Sequence, residues 1–337
     1  MSNPPPSFLE STRNKIKQNG WKRLLLAVSG GLDSICLAHF FVVHKEALGI
    51  EWLGIAHVHH GLREGTADRD AEFVKVFAAQ NQSPFFLGTL DGVALKAAEG
   101  SLENNARDAR YDALRKFAHE NRADAIVTAH HAGDQAETVY LRLRRGVSLA
   151  GLQGIQSVRL LATDTDLPHE AVFLYRPFLD VSRKELQEYA RDNNLDWCED
   201  ESNSDVKFTR NQIRHEALPT LEKLHPGATS QLVRIASKTV SAYERILTIA
   251  DKLFLPLIIS RDDGLTLDTK KGKISLKNGM DEIFRLWLDR QGYRFPVGTF
   301  KGKALLNDIR NLSYRTRFIE KKRNIIRICE KKASADI

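Results

Sequence analysis

The residues best suited to chemistry begin with a run of six, Ser29-Gly30-Gly31-Leu32-Asp33-Ser34. It gathers two hydroxyls, two amides without side chains and one carboxylate. Glycine permits close backbone approach and positive φ. Free N–H groups at a helix start attract an anion. A helix cap alone would need a single oxygen. The run lacks the lysine of G-x-x-x-x-G-K-S/T and the spacing of G-x-G-x-x-G, so it is neither of the commoner nucleotide fingerprints.

Further polar constellations follow. HVHHGLR covers His57 to Arg63, and AHHAGDQAET covers Ala129 to Thr138. Asp134 and Glu137 are spaced i, i+3 and share a helix face. They could complement the helix dipole, hold Mg²⁺ or grip an ammonium group. In SLENNARDARYDAL, Arg107 and Arg110 occupy neighbouring helical turns. Arginines beside a phosphate site would bind it or stabilise charge on a departing pyrophosphate; otherwise they form a surface ladder. Arg142, Arg144 and Arg145 in RLRRGVSLAGLQGI suit contact with substrate or RNA phosphate. Asp200 to Asn203, with Arg210, Asn211 and Arg214, reads as a polar loop beside the site. No HxxxH or HExxH spacing marks zinc. Cys36, Cys198 and Cys329 form no CxxC pair, which excludes a zinc ribbon and a paired-cysteine redox site.

These residues need elements to position them. Leu24–Val28 is short and wholly apolar, as a buried parallel strand should be. Strand signals recur at 52–58, 85–87, 125–128 and 172–175, and helical patterns fall near 33–47, 67–81, 102–121, 134–145 and 182–194. This alternation predicts an α/β fold with a doubly wound parallel sheet and ligands at the strand C-termini. A boundary near 216–225 separates a catalytic domain, 1–220, from a mainly helical, basic region, 221–337. That region opens with a long helix over 228–255. It continues through a short β-like segment, helices over 280–291 and 303–311, and a basic strand pair containing Lys321, Lys322 and Arg323. It carries 24 Lys and Arg against 13 Asp and Glu, while the whole chain is +7. Such a distribution suits a polyanionic partner. Scattered cysteines and the absence of an apolar leader or span point to a cytoplasmic protein with no membrane partner.

The SGG-x-DS run resembles the pyrophosphate loop (PP-loop) of the N-type ATP pyrophosphatases, which split ATP into AMP and pyrophosphate. The ordered series SGGLDS, HVHHGLR, E-x-x-A-R-x-x-R-Y, AHH-x-x-DQAET, RG-x4-GL-x-G-I, RPFL and ED-x-SN…RN-x-I-R resembles the tRNA(Ile)-lysidine synthetase family over roughly residues 22–220. DEIFRLWLDRQGYRFP, 281–296, resembles that family's first C-terminal subdomain. Gly133 stands where the family usually has Asp. The resemblance implies an enzyme that uses ATP and Mg²⁺ to join L-lysine to carbon 2 of the wobble cytidine of a CAU-anticodon tRNA(Ile). It implies ATP binding by Ser29 to Ser34 and catalysis by Asp33, His131, Arg107 and Arg110. Asp134 and Glu137 would bind lysine, and Asp33 and Asp134 a metal. Arg142, Arg144, Arg145, Arg210, Arg214, Lys321, Lys322 and Arg323 would meet tRNA. A homodimer is left open. The alternatives are a cytidine thiolase of the same superfamily, a small-molecule adenylating ligase and a non-catalytic RNA-binding protein.

Overall fold

The computed structural model describes residues 6–59, 66–147, 149–161, 172–199, 209–261, 264–268, 279–291, 293, 312–314, 317–322 and 325–330. The expected helix over 303–311, Arg323, His60 to Arg63 and Asp200 to Asn203 lie outside them. The chain divides into two compact units: Met1–Leu141 with Gly154–Arg234, and Arg142–Gln153 with Ile235–Ile337.

The first unit follows the expected alternation. It begins α1 (Pro6–Asn19), β1 (Arg23–Ala27), α2 (Leu32–Val43), β2 (Trp52–His59), α3 (Thr66–Gln80), β3 (Phe85–Thr89), α4 (Gly92–Ala97), α5 (Leu102–Glu120), β4 (Ala125–Val127) and α6 (Ala132–Arg145). The short helix α7 (Leu149–Leu152) belongs to the second unit. The chain then returns through β5 (Val158–Leu160), β6 (Phe173–Tyr175), α8 (Arg183–Asp192), α9 (Thr209–Gln212), a π-helix at Ile213–Ala217 and α10 (Leu218–Leu224).

The strand order is β3-β2-β1-β4-β6-β5. All neighbours are parallel except β5, which pairs antiparallel with β6. Successive β1 residues serve opposite faces. Leu24 and Leu26 join the cluster with Ile35, Phe40 and Leu186, while Leu25 and Ala27 join Leu114, Ala118 and Leu174. Burial on both faces explains why β1 reads as an unbroken apolar run. The helix α1 was not expected from its proline-rich start. It is recruited by packing: Ile16 is buried, and Phe8 meets Phe40 with ring centroids 5.1 Å apart.

The division at Arg234/Ile235 falls within α11 (Ala228–Phe254), a continuous helix close to the one expected. The second unit adds a 3₁₀ turn at Leu255–Leu257, β7 (Ile258–Ser260), β8 (Leu265–Asp268), α12 (Met280–Arg290), β9 (Leu312–Tyr314), β10 (Arg317–Lys322) and β11 (Ile325–Glu330). Its antiparallel sheet runs β7-β8-β11-β10-β9. Leu265 and Leu267 of β8, with Ile326 and Ile328 of β11, pack with Phe254, Phe284 and Trp287. This alternation leaves one sheet face for the core. Trp287 Nε1 donates to Asp251 Oδ1 at 3.0 Å, satisfying its buried polar edge. Among the described residues, no helix is long and apolar enough to cross a membrane.

Candidate active site

The sheet reverses its strand order between β1 and β4, the switch point at which open α/β sheets bind ligands. The loop after β1 is Val28 to Gly31. Gly30 has φ of +99°, a region L side chains rarely adopt. The Ser34 hydroxyl holds the turn from inside. It accepts from the N–H groups of Ser29 and Gly30 at 3.1 and 3.2 Å, and donates to the Gly31 carbonyl at 2.9 Å. Ser34 is therefore engaged within the loop it was expected to lend to ATP. The N–H groups of Gly31, Leu32 and Asp33 donate to no described residue and stand free at the start of α2. Asp33 Oδ1 is buried with no hydrogen-bond partner. The Cys198 N–H donates to the Gly30 carbonyl at 2.9 Å, bracing the loop from the far side.

The loop after β4 faces it. His131 is the N-cap of α6. Its N–H donates to Asp134 Oδ2 at 2.9 Å, and its Nδ1 accepts from the Gly133 N–H at 2.9 Å. Its carbonyl accepts the first α6 bond, from Gln135. His131 Nε2 lies 3.6 Å from Asp33 Oδ2 and 3.8 Å from Asp134 Oδ2. The structure thus brings Asp33, His131 and Asp134 together. Burial pushes the Asp134 carboxyl up, but His131, His130, the His131 N–H and Arg214 more than offset this and hold it below its ordinary value.

Glu137 is buried one turn along α6. Arg214, in the π-helix, donates from Nε to Glu137 Oε1 at 2.5 Å and from Nη2 to Asp134 Oδ1 at 3.2 Å. Arg214 was expected on RNA phosphate; here it binds the two carboxylates expected to hold lysine. Burial keeps the Glu137 carboxyl above its ordinary value against the pull of Arg214. Burial also opposes the Arg214 charge, but Glu137, Asp134 and Asp33 outweigh it and hold the guanidinium above its usual range. The arrangement can grip one N–H cation.

A second group lies above β2, β4 and β6. The Arg107 guanidinium sits 5.5 Å from the Tyr111 ring centroid. Burial lowers Arg110, with Arg107 adding to the effect. Arg176 is buried; its Nη1 donates to the Gln156 carbonyl at 2.8 Å, and its Nε is unpartnered. His130 Nδ1 is 2.9 Å from Thr128 Oγ1. Burial, reinforced by Arg176, Arg110 and Arg107, pushes His130 down to about 3. The cluster is cationic without protonated histidine, as an anion site requires.

Arg176 and His130 were not expected to have roles. The RPFL motif marks Arg176, but only the fold brings it beside α5. Gln135 was also missed. It clamps the Ile155 N–H and carbonyl at 2.6 and 3.1 Å, tying α6 to the segment before β5. The other expected RNA contacts are dispersed. Arg142 Nη1 donates to the Gly151 carbonyl at 2.6 Å, Arg144 and Arg145 are exposed at the end of α6, and Arg210 acts on Glu137 electrostatically. Lys321 and Lys322 pair with Ile326 and Ile325 at the end of the β10–β11 hairpin.

A mostly parallel sheet with an open anion loop at its switch point and carboxylates opposite defines a doubly wound α/β protein of the nucleotide-site type. The chain belongs to the PP-loop domain family, whose pattern matches residues 6–221. It is 34% identical over 279 residues to the tRNA(Ile)-lysidine synthase of Vibrio vulnificus, covering 82% of this chain and 59% of that one. It is 35% identical over 252 residues to the bifunctional protein TilS/HprT of Listeria innocua, covering 73% of this chain and 36% of that one. The chain therefore spans about one third to three fifths of the length of these relatives. The U34-tRNA thiolase NcsA of Methanococcus maripaludis shares the fold with a TM-score of 0.53 at 16% identity, covering 70% of this chain and 80% of that one.

Proposed function

We propose that this protein is a tRNA(Ile)-lysidine synthetase. ATP adenylates the carbonyl oxygen on carbon 2 of the wobble cytidine in a CAU-anticodon tRNA(Ile), and pyrophosphate leaves. The ε-amino group of L-lysine then attacks carbon 2, and AMP departs with the oxygen. The observation that carries this reading is the pair Asp134 and Glu137 holding a cation beside an open phosphate loop. A site that binds a guanidinium has the charge and acceptors for a lysine ammonium, which would displace Arg214.

The free N–H groups of Gly31, Leu32 and Asp33 would receive ATP phosphates. Arg107 and Arg110 would stabilise charge on departing pyrophosphate. Asp33 would hold Mg²⁺, since its buried Oδ1 has no hydrogen-bond partner. Asp134 has both oxygens engaged by Arg214 and His131. Among the described residues, no group of three or more His, Cys, Asp or Glu side chains is arranged for a metal. An ion held by one or two carboxylates and substrate phosphates would need no such group. Such an ion would neutralise phosphate charge. The basic C-terminal region would carry tRNA, in the cytoplasm.

A thiolase reading is disfavoured by the two described cysteine side chains. Cys36 and Cys198 are free; burial, with Asp33, pushes the first up to about 12, and burial, with Asp70, the second up to about 11. Neither is a thiolate at neutral pH. The reading is tested by AMP release from ATP in the full chain. Release should require both tRNA(Ile) and L-lysine. AMP formed equally without tRNA would favour a small-molecule ligase.

A further inference from the structure

Gly133 and His131 share a geometry that an ordinary helix cap does not need. A Cβ at position 133 would lie 2.6 Å from His131 Cε1 and 3.1 Å from Nδ1. Real Cβ contacts essentially never come below 3.0 Å. The imidazole can fold over the first turn of α6 only because residue 133 has no side chain. Once there, Nδ1 accepts from the Gly133 N–H, which leaves Nε2 as the ring's donor nitrogen. Nε2 is aimed between Asp33 Oδ2 and Asp134 Oδ2, at 3.6 and 3.8 Å, beyond hydrogen-bond reach of either. His131 is buried as a residue, and its Nε2 faces the two carboxylates. The free N–H groups of Gly31, Leu32 and Asp33 open beside the same carboxylate.

We infer that His131 is a fixed hydrogen-bond donor to a nucleotide phosphate oxygen and that Gly133 is the positioning residue that makes it so. The inference rests on the adenylating reading for its ligand, ATP, and on the geometry alone for its donor. As the cytidine oxygen bonds to the α-phosphorus, the bond from that phosphorus to the β-bridging oxygen breaks, and its electron pair leaves with pyrophosphate. Nε2–H stabilises phosphate oxygen in this step and abstracts nothing, because its lone pair lies on Nδ1 and is held by the backbone. A general-base role would require the opposite tautomer.

Two measurements on the full chain test this. The first is ¹⁵N NMR of histidine-labelled protein without and with ATP. The expected spectrum has His131 protonated at Nε2 and unprotonated at Nδ1, with the Nε2–H resonance shifted on ATP addition. G133A should lose that signature. A wild-type ring protonated at Nδ1, or an Nε2–H unmoved by saturating ATP, overturns the inference. The second is a substitution series read as kcat and KM for ATP. H131Q places an N–H near Nε2 and H131N places one near Nδ1. H131A, H131N and G133A should each lower kcat about ten- to a hundredfold, as for loss of a hydrogen bond to a charged group, with smaller changes in KM. H131Q should restore most of kcat. Rescue by H131N and not by H131Q, or an unaffected G133A, overturns the inference. The NMR arm needs neither tRNA nor lysine. An Nε2–H that responds to ATP in a protein making no lysidine would uphold the donor and refute the proposed function.

Discussion

Replacing Arg214 with alanine isolates the carboxylate pair. The Glu137 side chain is 4% exposed and the Asp134 side chain 21%, while Arg214 is 31% exposed. Removing the cation leaves Glu137 a buried carboxylate without its partner, which costs about 3–5 kcal/mol. For a unit of this size, that corresponds to a fall in Tm of about 10 °C. The sign with pH follows from burial. Glu137 already lies above its ordinary value with Arg214 present, so its folded-state pKa rises further without it. A carboxyl raised in the folded state destabilises most above that pKa, and the penalty fades as pH falls through it. The Tm difference between wild type and R214A should be largest near pH 8 and shrink toward pH 5. L-lysine should then raise the Tm of R214A more than that of wild type, since its ammonium can fill the gap, whereas Nε-acetyl-lysine should not. Thermal melts at several pH values with each amino acid measure this. A loss below about 1 kcal/mol, unchanged with pH and with lysine, would refute the reasoning and show the pair to be screened by solvent.

Other outcomes follow from the same geometry. At Gly30, an added Cβ would make only ordinary 3.6 Å contacts with Asp70, Cys198 and Val74, so G30A should cost about 1–3 kcal/mol through backbone strain at positive φ and weaken ATP binding, as read by melts and nucleotide titration. His130 stays neutral in the folded state down to about pH 3 but protonates near 6.5 when unfolded. It should therefore remove up to about 1.4 kcal/mol per pH unit as pH falls below 6.5, and H130N should flatten the acid limb of a urea-midpoint profile; an unchanged limb contradicts its burial as a neutral ring. Alanine at Lys321, Lys322 and Arg323 should weaken binding of every tRNA alike and reduce the salt slope by about 0.9 for each phosphate left without its cation, with titrations across salt as the check.

Much of the fold was legible because β1 is buried on both faces. An unbroken Leu24–Val28 run followed by glycine allows little else, and the loop's chemistry follows from its position. The weaker elements were not legible. Val158–Leu160 carries Arg159 in a three-residue edge strand, and α1 owes its place to Phe8 and Ile16 packing on distant residues. The end of the first unit was obscured because α11 runs through Arg234 without a linker. The residues of the candidate site stand out in the sequence singly, but not their pairing in space. Asp134 and Glu137 share a face by spacing alone, yet their cation lies 77 positions beyond Glu137, and nothing local marks it. Gly133 could be seen as a departure from a pattern, but its meaning required the position of the His131 ring.

The most direct test of the account is mass analysis of nucleosides from CAU-anticodon tRNA(Ile) incubated with this protein, ATP and L-lysine. The wobble cytidine should gain the mass of one lysine less one water, and D33A protein, shown folded by its melt, should leave it unchanged. An unmodified cytidine with wild-type protein, or the same gain with D33A, would contradict it.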